Sequence, residues 1–300
     1  MNLKLYKMRF NSAHFGNGML NDSIGEFDAA RLFSALFLEA LKIGEDQAFY
    51  ELATHPDFVL SDAFPFVNGK PYLPKPIGYP VLQENPQKDL LEARKEAKSA
   101  KKLRYLPYDR LNEFLTGKAD LTALLASLHS FEKQDYVTRK GEDPYEVGVT
   151  YFNESLYVVA AQSDLFDQLM YSLQYSGLGG KRTSGYGQFT LDIEAVPEQY
   201  QKHILTSDFP VMMSLTTGLP LEDELPSAMK EAKYLIKKSS GFSYSEMTSE
   251  PLRKQDLYKF KAGSTYKRKY VGGIYDVRPE GFPHPVWNYA KGLFYGLTTH

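Results

Sequence analysis

The residues best equipped for chemistry lie in one run, Ser176-Gly-Leu-Gly-Gly-Lys-Arg-Thr-Ser-Gly-Tyr-Gly-Gln-Phe189. Five glycines sit among two adjacent cations, two hydroxyls and an aromatic. Without a Cβ, glycine lets backbone N–H groups face a phosphate. Lys181 and Arg182 supply positive charge, Thr183 and Ser184 can donate hydrogen bonds, and Tyr186 offers a ring for stacking on a base. The nucleotide-binding motifs do not fit. A Walker A loop ending at Gly180-Lys181 requires glycine where Tyr175 stands and Ser or Thr where Arg182 stands. A GxGxxG run from Gly177 requires glycine at Arg182. Both motifs also lead from strand to helix, whereas this loop leads from a predicted helix to a predicted strand.

The elements that hold this loop follow from hydrophobic spacing. Leu3, Leu5, Met8 and Phe10 predict an opening strand with a phase slip near Tyr6. After a loop containing Gly16, Gly18 and Gly25, Asp28 is placed to N-cap a helix whose apolar stripe is Leu32, Phe33, Leu36, Phe37, Ala40 and Leu41, and Gly44 ends it. Asn68-Gly69 predicts a type I′ hairpin. Tyr145–Tyr151 and Leu156–Ala161 read as strands, Ser163 as the cap of a second helix, and Gln188–Val196 as a closing strand. This β-α-β-β-α-β order predicts an α+β, ferredoxin-like (RRM-like) domain over residues 1–197, with a helical, charged insertion at about 78–140. Residues 197–210 read as a linker. The rest, 198–300, carries strand-like runs at Val211–Leu215, Tyr234–Lys238, Leu257–Lys261, Gly273–Val277 and Gly292–Leu297, and is expected to form a second, more degenerate ferredoxin-like domain.

Composition narrows the chemistry. Zero cysteines exclude disulfides, thiolate nucleophiles and thiolate metal sites, and six scattered histidines without an HExxH give no reason to expect a metal or other cofactor. No apolar run is long enough to span a membrane and no secretory pattern opens the chain, so a cytoplasmic protein is expected. Net charge is −2, but unevenly spread: Pro86–Arg110 carries +4 and Pro226–Tyr270 carries +7, leaving −13 elsewhere. That distribution predicts a basic stripe for phosphates on an acidic body suited to protein partners.

The glycine-rich run resembles that of the RAMP superfamily of CRISPR proteins. Other segments resemble one branch, subunit four of the type III-A (Csm) effector complex: Ser12-Ala-His-Phe-Gly-Asn-Gly18, Leu32-Phe-Ser-Ala-Leu36, Leu73-Pro-Lys-Pro76, Leu103-Arg-Tyr-Leu-Pro-Tyr108, Ser239-Ser-Gly-Phe242, Phe260-Lys-Ala-Gly-Ser264 and His284-Pro-Val286. The resemblance spans nearly the whole chain in order. It implies two ferredoxin-like domains that hold the repeat-derived 5′ handle of the guide RNA (crRNA). It also implies contacts with the large polymerase-like subunit and the adjacent backbone RAMP subunit. A β-hairpin thumb within Gly78–Lys140 would lie near target RNA. Matched to the RNA-contacting loop are Gly179, Gly180, Lys181, Arg182, Ser184 and Tyr186, and to the loop after the first strand His14, Phe15, Gly16 and Gly18. Lys75 lies in a stiff Pro-Lys-Pro segment where a cation could be held toward the handle. Ser240, Gly241, Phe242, Gly263, Ser264 and His284 match second-domain segments that either contact RNA or form core turns.

Two other classes of function compete. Related RAMP proteins cut guide precursors, which requires a base for a 2′-OH and an acid for the leaving oxygen. His14 is the candidate base, with Tyr6, Lys75 or Lys181 as partners, although a lone His beside Phe and Gly is more often structural. A pure protein scaffold would leave Lys181 and Arg182 unexplained. A non-catalytic RNA binder is the expectation.

Overall fold

The computed structural model describes residues 2–80, 97–140, 144–248 and 250–298. Its first strand, β1 (Leu3–Phe10), buries Leu5 and Tyr6 consecutively. Both faces of the strand are covered there, which explains the slip in alternation. After β2 (Ser12–Ala13) comes α1 (Ala29–Ile43). The Asp28 side chain accepts the Arg31 N–H at 3.0 Å, and Gly44 closes the helix at φ 75°. Next are α2 (Asp46–Thr54), β3 (Phe64–Val67) and β4 (Lys70–Pro74), the last two joined through Asn68 and Gly69, both at positive φ as a type I′ turn demands.

The expected helical insertion is mixed. Residues 81–96 of it lie outside the described residues. The remainder holds helical residues 97–102, β5 (Tyr105–Pro107), α3 (Leu111–Leu115) and α4 (Leu121–Ser127). Strand β5 is three residues long among charged neighbours, too short to show a period, yet its Leu106 is fully buried. A hairpin of β6 (Glu132–Arg139) and β7 (Tyr145–Phe152) follows, with β6 largely exposed and β7 pairing back to β2. Then come β8 (Ser155–Ala161), α5 (Asp164–Ser176), capped by the Ser163 hydroxyl, and β9 (Phe189–Ala195). The central antiparallel sheet runs β5-β4-β3-β8-β1-β9, with α1 linking β1 toward β3 and α5 linking β8 to β9.

The expected linker at 197–210 is instead a helix, α6 (Glu198–Leu205). Tyr200 and Ile204, four apart, are buried on one face, and that i,i+4 pair is its signature in the sequence. Beyond it, β10 (Val211–Ser214) lies between β15 (Thr265–Tyr266) and β18 (Phe294–Leu297). Three two-stranded ribbons surround this sheet: β11 (Ile236–Ser239) with β14 (Leu257–Phe260), β12 (Phe242–Ser243) with β13 (Leu252–Arg253), and β16 (Ile274–Asp276) with β17 (Trp287–Tyr289).

One hydrophobic core runs through residues on both sides of position 197. Phe33 of α1 meets Tyr289 with ring centroids 5.7 Å apart, and Tyr200 meets Tyr295 at 5.2 Å. Lys291, almost fully buried, donates to the carbonyls of Ala53, His55 and Phe58, satisfying the C-terminal end of α2. Burial pulls its ammonium down to about 8.

Candidate nucleic-acid interface

Helix α5 ends at Gly177, and the loop to β9 is clamped onto the chain just after β1. The Gly180 N–H donates to the His14 carbonyl at 2.9 Å, the Gly187 N–H to Ser12 at 2.9 Å, and the Leu178 N–H to Gly187 at 2.8 Å. Close approach is what demands glycine. A Cβ at Gly179 would stand 2.7 Å from the His14 carbonyl oxygen, and one at Gly180 2.7 Å from the His14 ring. The loop and the segment Ser12–Phe15 are therefore docked as one unit.

Within that unit the side chains divide. His14 is buried, and its Nδ1 lies 2.7 Å from the Gly148 carbonyl, so Nδ1 carries the proton and donates. Phe15 is fully buried among Phe10, Phe27 and Phe152, so its ring serves the core and does not stack on a ligand. Gly16 accepts from the Arg31 guanidinium at 2.8 Å, and Gly18 is exposed at φ 108°. Arg31 lies over the Phe15 ring, and burial lowers its pKa against the opposing pull of Asp28.

Lys181, Arg182, Ser184 and Tyr186 form the outer surface of the loop. Arg182 and Ser184 are exposed, while Lys181 and Tyr186 are half-buried. Lys181 holds a left-handed backbone, φ 56°, immediately before a 3-10 turn over Arg182–Ser184. Such a conformation costs a side-chain-bearing residue about 1–2 kcal/mol and tends to collect at binding sites. The Lys181 ammonium rests 5.1 Å from the centre of the Tyr145 ring on the β6–β7 hairpin. Among the described residues neither Lys181 nor Arg182 has a carboxylate within ion-pair distance. Charge, exposed hydroxyl and half-exposed ring thus converge on a rigid, close-packed support.

The other expected site residues lie elsewhere. Lys75 is half-buried and donates to the Ala100 carbonyl at 2.7 Å, and burial lowers its pKa. It packs against Gly263, where φ is 92° and an added Cβ would stand 2.8 Å from the Lys75 carbonyl oxygen, so no side chain fits. Ser264 is fully buried and bonded to the Lys261 carbonyl, so this segment is a core turn. Ser240, Gly241 and Phe242 sit where β11 passes into β12, with Phe242 70% exposed, and His284 is exposed between β16 and β17.

Part of the basic stripe expected at Pro226–Tyr270 turns inward, with Lys259 buried and Lys237 half-buried, while eight of its eleven Lys and Arg residues are exposed. Lys237 and Lys259 are direct cross-strand neighbours. Like charges so placed repel unless countered. Lys237 reaches the Asp28 carboxylate at 2.9 Å, and Lys259, wholly buried, donates to the Asn288 side chain at 3.0 Å. Asp62 accepts from the Ala29 and Thr217 N–H groups and from the Thr217 hydroxyl. Burial would raise the Asp28 carboxyl, but Lys259, Lys237 and Arg31 outweigh that and hold it well below the carboxylate range. Burial and the neighbouring Asp28 charge push Asp62 up to about 6. Lys238 and Arg253 both pair with Asp256. Counting along the sequence misses the pairing of Lys237 and Lys259 because Asp28 and Asp62 lie some 170 residues or more upstream of them.

Of the nuclease candidates, Tyr6 is buried and donates to Asp167, Lys75 faces a carbonyl, and Lys181 faces Tyr145. Among the described residues no acidic or histidine cluster is placed to hold a metal ion, and no helix is long and apolar enough to cross a membrane.

Comparison with known proteins gives a consistent assignment. The profile described as CRISPR Csm4 C-terminal domain matches residues 207–297. A protein of Streptococcus thermophilus named "CRISPR system Cms protein Csm4" is 47% identical over 300 residues, covering 99% of each chain. One of the same name from Mycobacterium tuberculosis is 37% identical, covering 99% of this chain and 98% of that one. Among solved structures, the chain is similar in fold to a component of a Csm3-Csm4 subcomplex of the type III-A CRISPR-Cas interference complex, with TM-score 0.65 at 17% identity over 98% and 99% of the two chains. It is similar also to a component of a Csm1-Csm4 cassette crystallised with pppApA, with TM-score 0.63 at 18% identity over 98% of each. With mixed helices and antiparallel sheets in the RAMP manner and full-length identity at this level, the chain belongs to the Csm4 family of CRISPR proteins.

Proposed function

We propose that this chain is the subunit of a type III-A interference complex that grips and caps the repeat-derived 5′ handle of the guide RNA. The observation that carries the reading is the loop Gly177–Gly187, docked rigidly on His14, with Lys181 and Arg182 free of carboxylate partners among the described residues. A phosphate approaching there meets two cations and a hydroxyl without first breaking an ion pair. In this reading the chain has two ferredoxin-like domains and works in the cytoplasm. It joins the large polymerase-like subunit to the adjacent backbone RAMP subunit, the two kinds of partner found with its structural neighbours. The exposed β6–β7 hairpin, beginning inside the segment expected to hold the thumb, is the element that would reach target RNA.

The role is non-catalytic. His14 is buried with its ring fixed by Nδ1 on the Gly148 carbonyl, and none of the candidate partners Tyr6, Lys75 and Lys181 is bonded to its Nε2, so no acid stands with it. General acid–base cleavage needs both groups within hydrogen-bond reach of the substrate. The test is to titrate the purified chain with labelled handle RNA and to incubate it with guide precursor. Saturable binding without cleavage products is expected. Discrete products lost on His14→Ala would establish the nuclease reading instead, and absence of binding would favour a scaffold.

A further inference from the structure

Within the glycine-rich loop, glycine stands at every position of positive φ except one. Gly177, Gly179, Gly185 and Gly187 take φ values of 77°, 101°, 86° and 83°, where a side chain would be strained. Lys181 takes 56° with its side chain in place. Among the described residues only Asn68 and Glu231 do likewise. Strain kept at such a position points to work done by the side chain. That side chain reaches out of the loop to the β6–β7 hairpin, where its ammonium lies 5.1 Å from the centre of the Tyr145 ring.

The two partners are held at a fixed spacing. Tyr145 opens β7, and three residues on, Gly148 is bonded on both sides. Its N–H donates to the Leu20 carbonyl at 2.9 Å, and its carbonyl accepts from His14 Nδ1 at 2.7 Å. The His14 carbonyl in turn accepts the N–H of Gly180, the residue before Lys181, at 2.9 Å. One buried histidine therefore pins the strand that carries the ring and the loop that carries the ammonium. An aromatic ring is also the partner that suits a phosphate-binding cation. A carboxylate would neutralise it, whereas a ring restrains the lysine and leaves its charge whole. Rotamer freedom lost against the ring is not lost again on binding. Tyr145 is 46% exposed and Lys181 half-buried, so both border solvent.

We propose that Tyr145 is a positioning residue for the phosphate grip. It acts through Lys181, holding the ammonium where the glycine-rich loop places a phosphate, and His14 keeps hairpin and loop at the distance this contact needs. The role rests on the handle-binding reading above and adds to it a residue from outside the loop.

The test is a double-mutant cycle on the affinity of the full chain for labelled handle RNA. Tyr145→Leu keeps apolar bulk but removes the aromatic face, so fewer chains hold the ammonium in place. Apparent affinity falls with that fraction, by about 2- to 5-fold. In a Lys181→Ala background the same substitution should cost nothing further. Tyr145→Phe should bind like wild type, because the ring and not the hydroxyl holds the cation. The salt slope should be unchanged in Tyr145→Leu, which keeps both cations, and should flatten by about 0.7 in Lys181→Ala. Tighter binding by Tyr145→Leu would show that the ring withholds Lys181 from phosphate. An equal loss in both backgrounds would show that Tyr145 touches RNA itself or only supports the hairpin. Either result, or an unchanged affinity, overturns the positioning role while RNA binding stands. If Lys181→Ala binds with wild-type affinity and slope, or wild type binds no RNA, the phosphate site or the handle reading itself falls, and the positioning role with it.

Discussion

Replacing Lys181 and Arg182 together by alanine isolates the electrostatic part of the proposed grip. Neither side chain supports the fold through an ion pair among the described residues, and Arg182 is exposed, so the variant should fold normally. Each phosphate neutralised on single-stranded nucleic acid contributes about 0.7 to the slope of log K against log salt. With two phosphates no longer neutralised, the slope should flatten by about 1.4. Between 50 and 200 mM salt, the affinity ratio of wild type to variant should therefore shrink about sevenfold, whatever its starting value. Because phosphate binding carries no sequence information, handle and unrelated RNA should weaken by similar factors. Tyr186→Ala is the control: removing a stack costs about 1–3 kcal/mol and leaves the salt slope nearly unchanged. Fluorescence anisotropy with labelled RNA at four or more salt concentrations measures both. A double variant with wild-type affinity and slope would show that this loop is not the phosphate site.

Lys181→Gly removes the same charge but relieves the left-handed backbone at φ 56°, so thermal unfolding should show a gain of about 1 kcal/mol while RNA affinity falls. Equal losses of stability and affinity would refute the assignment of strain to binding. Lys237→Met removes the direct ion pair of buried Asp28 and leaves Lys259 and Arg31 as its remaining cations; with the pair partly exposed, a loss of about 2–4 kcal/mol in urea denaturation is expected, much of it recovered by adding Asp28→Asn. An additive double variant would show that the two groups act independently. Asp62, raised from 3.8 to about 6, binds its proton more tightly folded than unfolded, so stability should fall as pH rises from about 4 to 6, by on the order of 2–3 kcal/mol, and level off above. Asp62→Asn should flatten that segment of the profile, and an unchanged slope would locate the titrating group elsewhere.

How legible these features are depends on how locally they are encoded. Asp28, Gly44, Asn68-Gly69 and Ser163 can be read from sequence because a cap or turn depends on three or four neighbouring residues. The glycine-rich loop is legible as an anion site, but the reason for Gly179 and Gly180 is the backbone and ring of His14, some 165 residues upstream. Strand β5 and helix α6 escape for opposite reasons: one is too short to show a period, the other begins after a proline that suggests a linker. Phe15 matches the family's loop after the first strand and Ser264 a segment that could contact RNA or form a core turn; both are buried, since motif residues include those that shape a segment as well as those that touch the ligand.

The charge pattern makes the same point about non-local encoding and bears on where RNA can bind. Eleven cations in Pro226–Tyr270 suggest the phosphate-binding face. Lys237 and Lys259 instead point inward toward a pair of aspartates, Lys238 and Arg253 share Asp256, Lys233 lies over Tyr79, and Lys269 caps the Ile204 carbonyl. A cation already engaged must leave its partner before it can neutralise a phosphate, whereas Lys230, Lys267 and Arg268 are exposed and have no carboxylate partner among the described residues, so the window keeps cations available at the surface. Lys181 and Arg182 are only two residues, but the loop presents them without carboxylate partners among the described residues and on a backbone pinned at Leu178, Gly180 and Gly187. On binding, these cations give up no competing ion pair among the described residues, and the backbone that carries them is already ordered. What sets the glycine-rich loop apart, in a protein whose total charge is −2, is that its two cations stand on a backbone already pinned to the chain after β1, which favours it as the proposed grip.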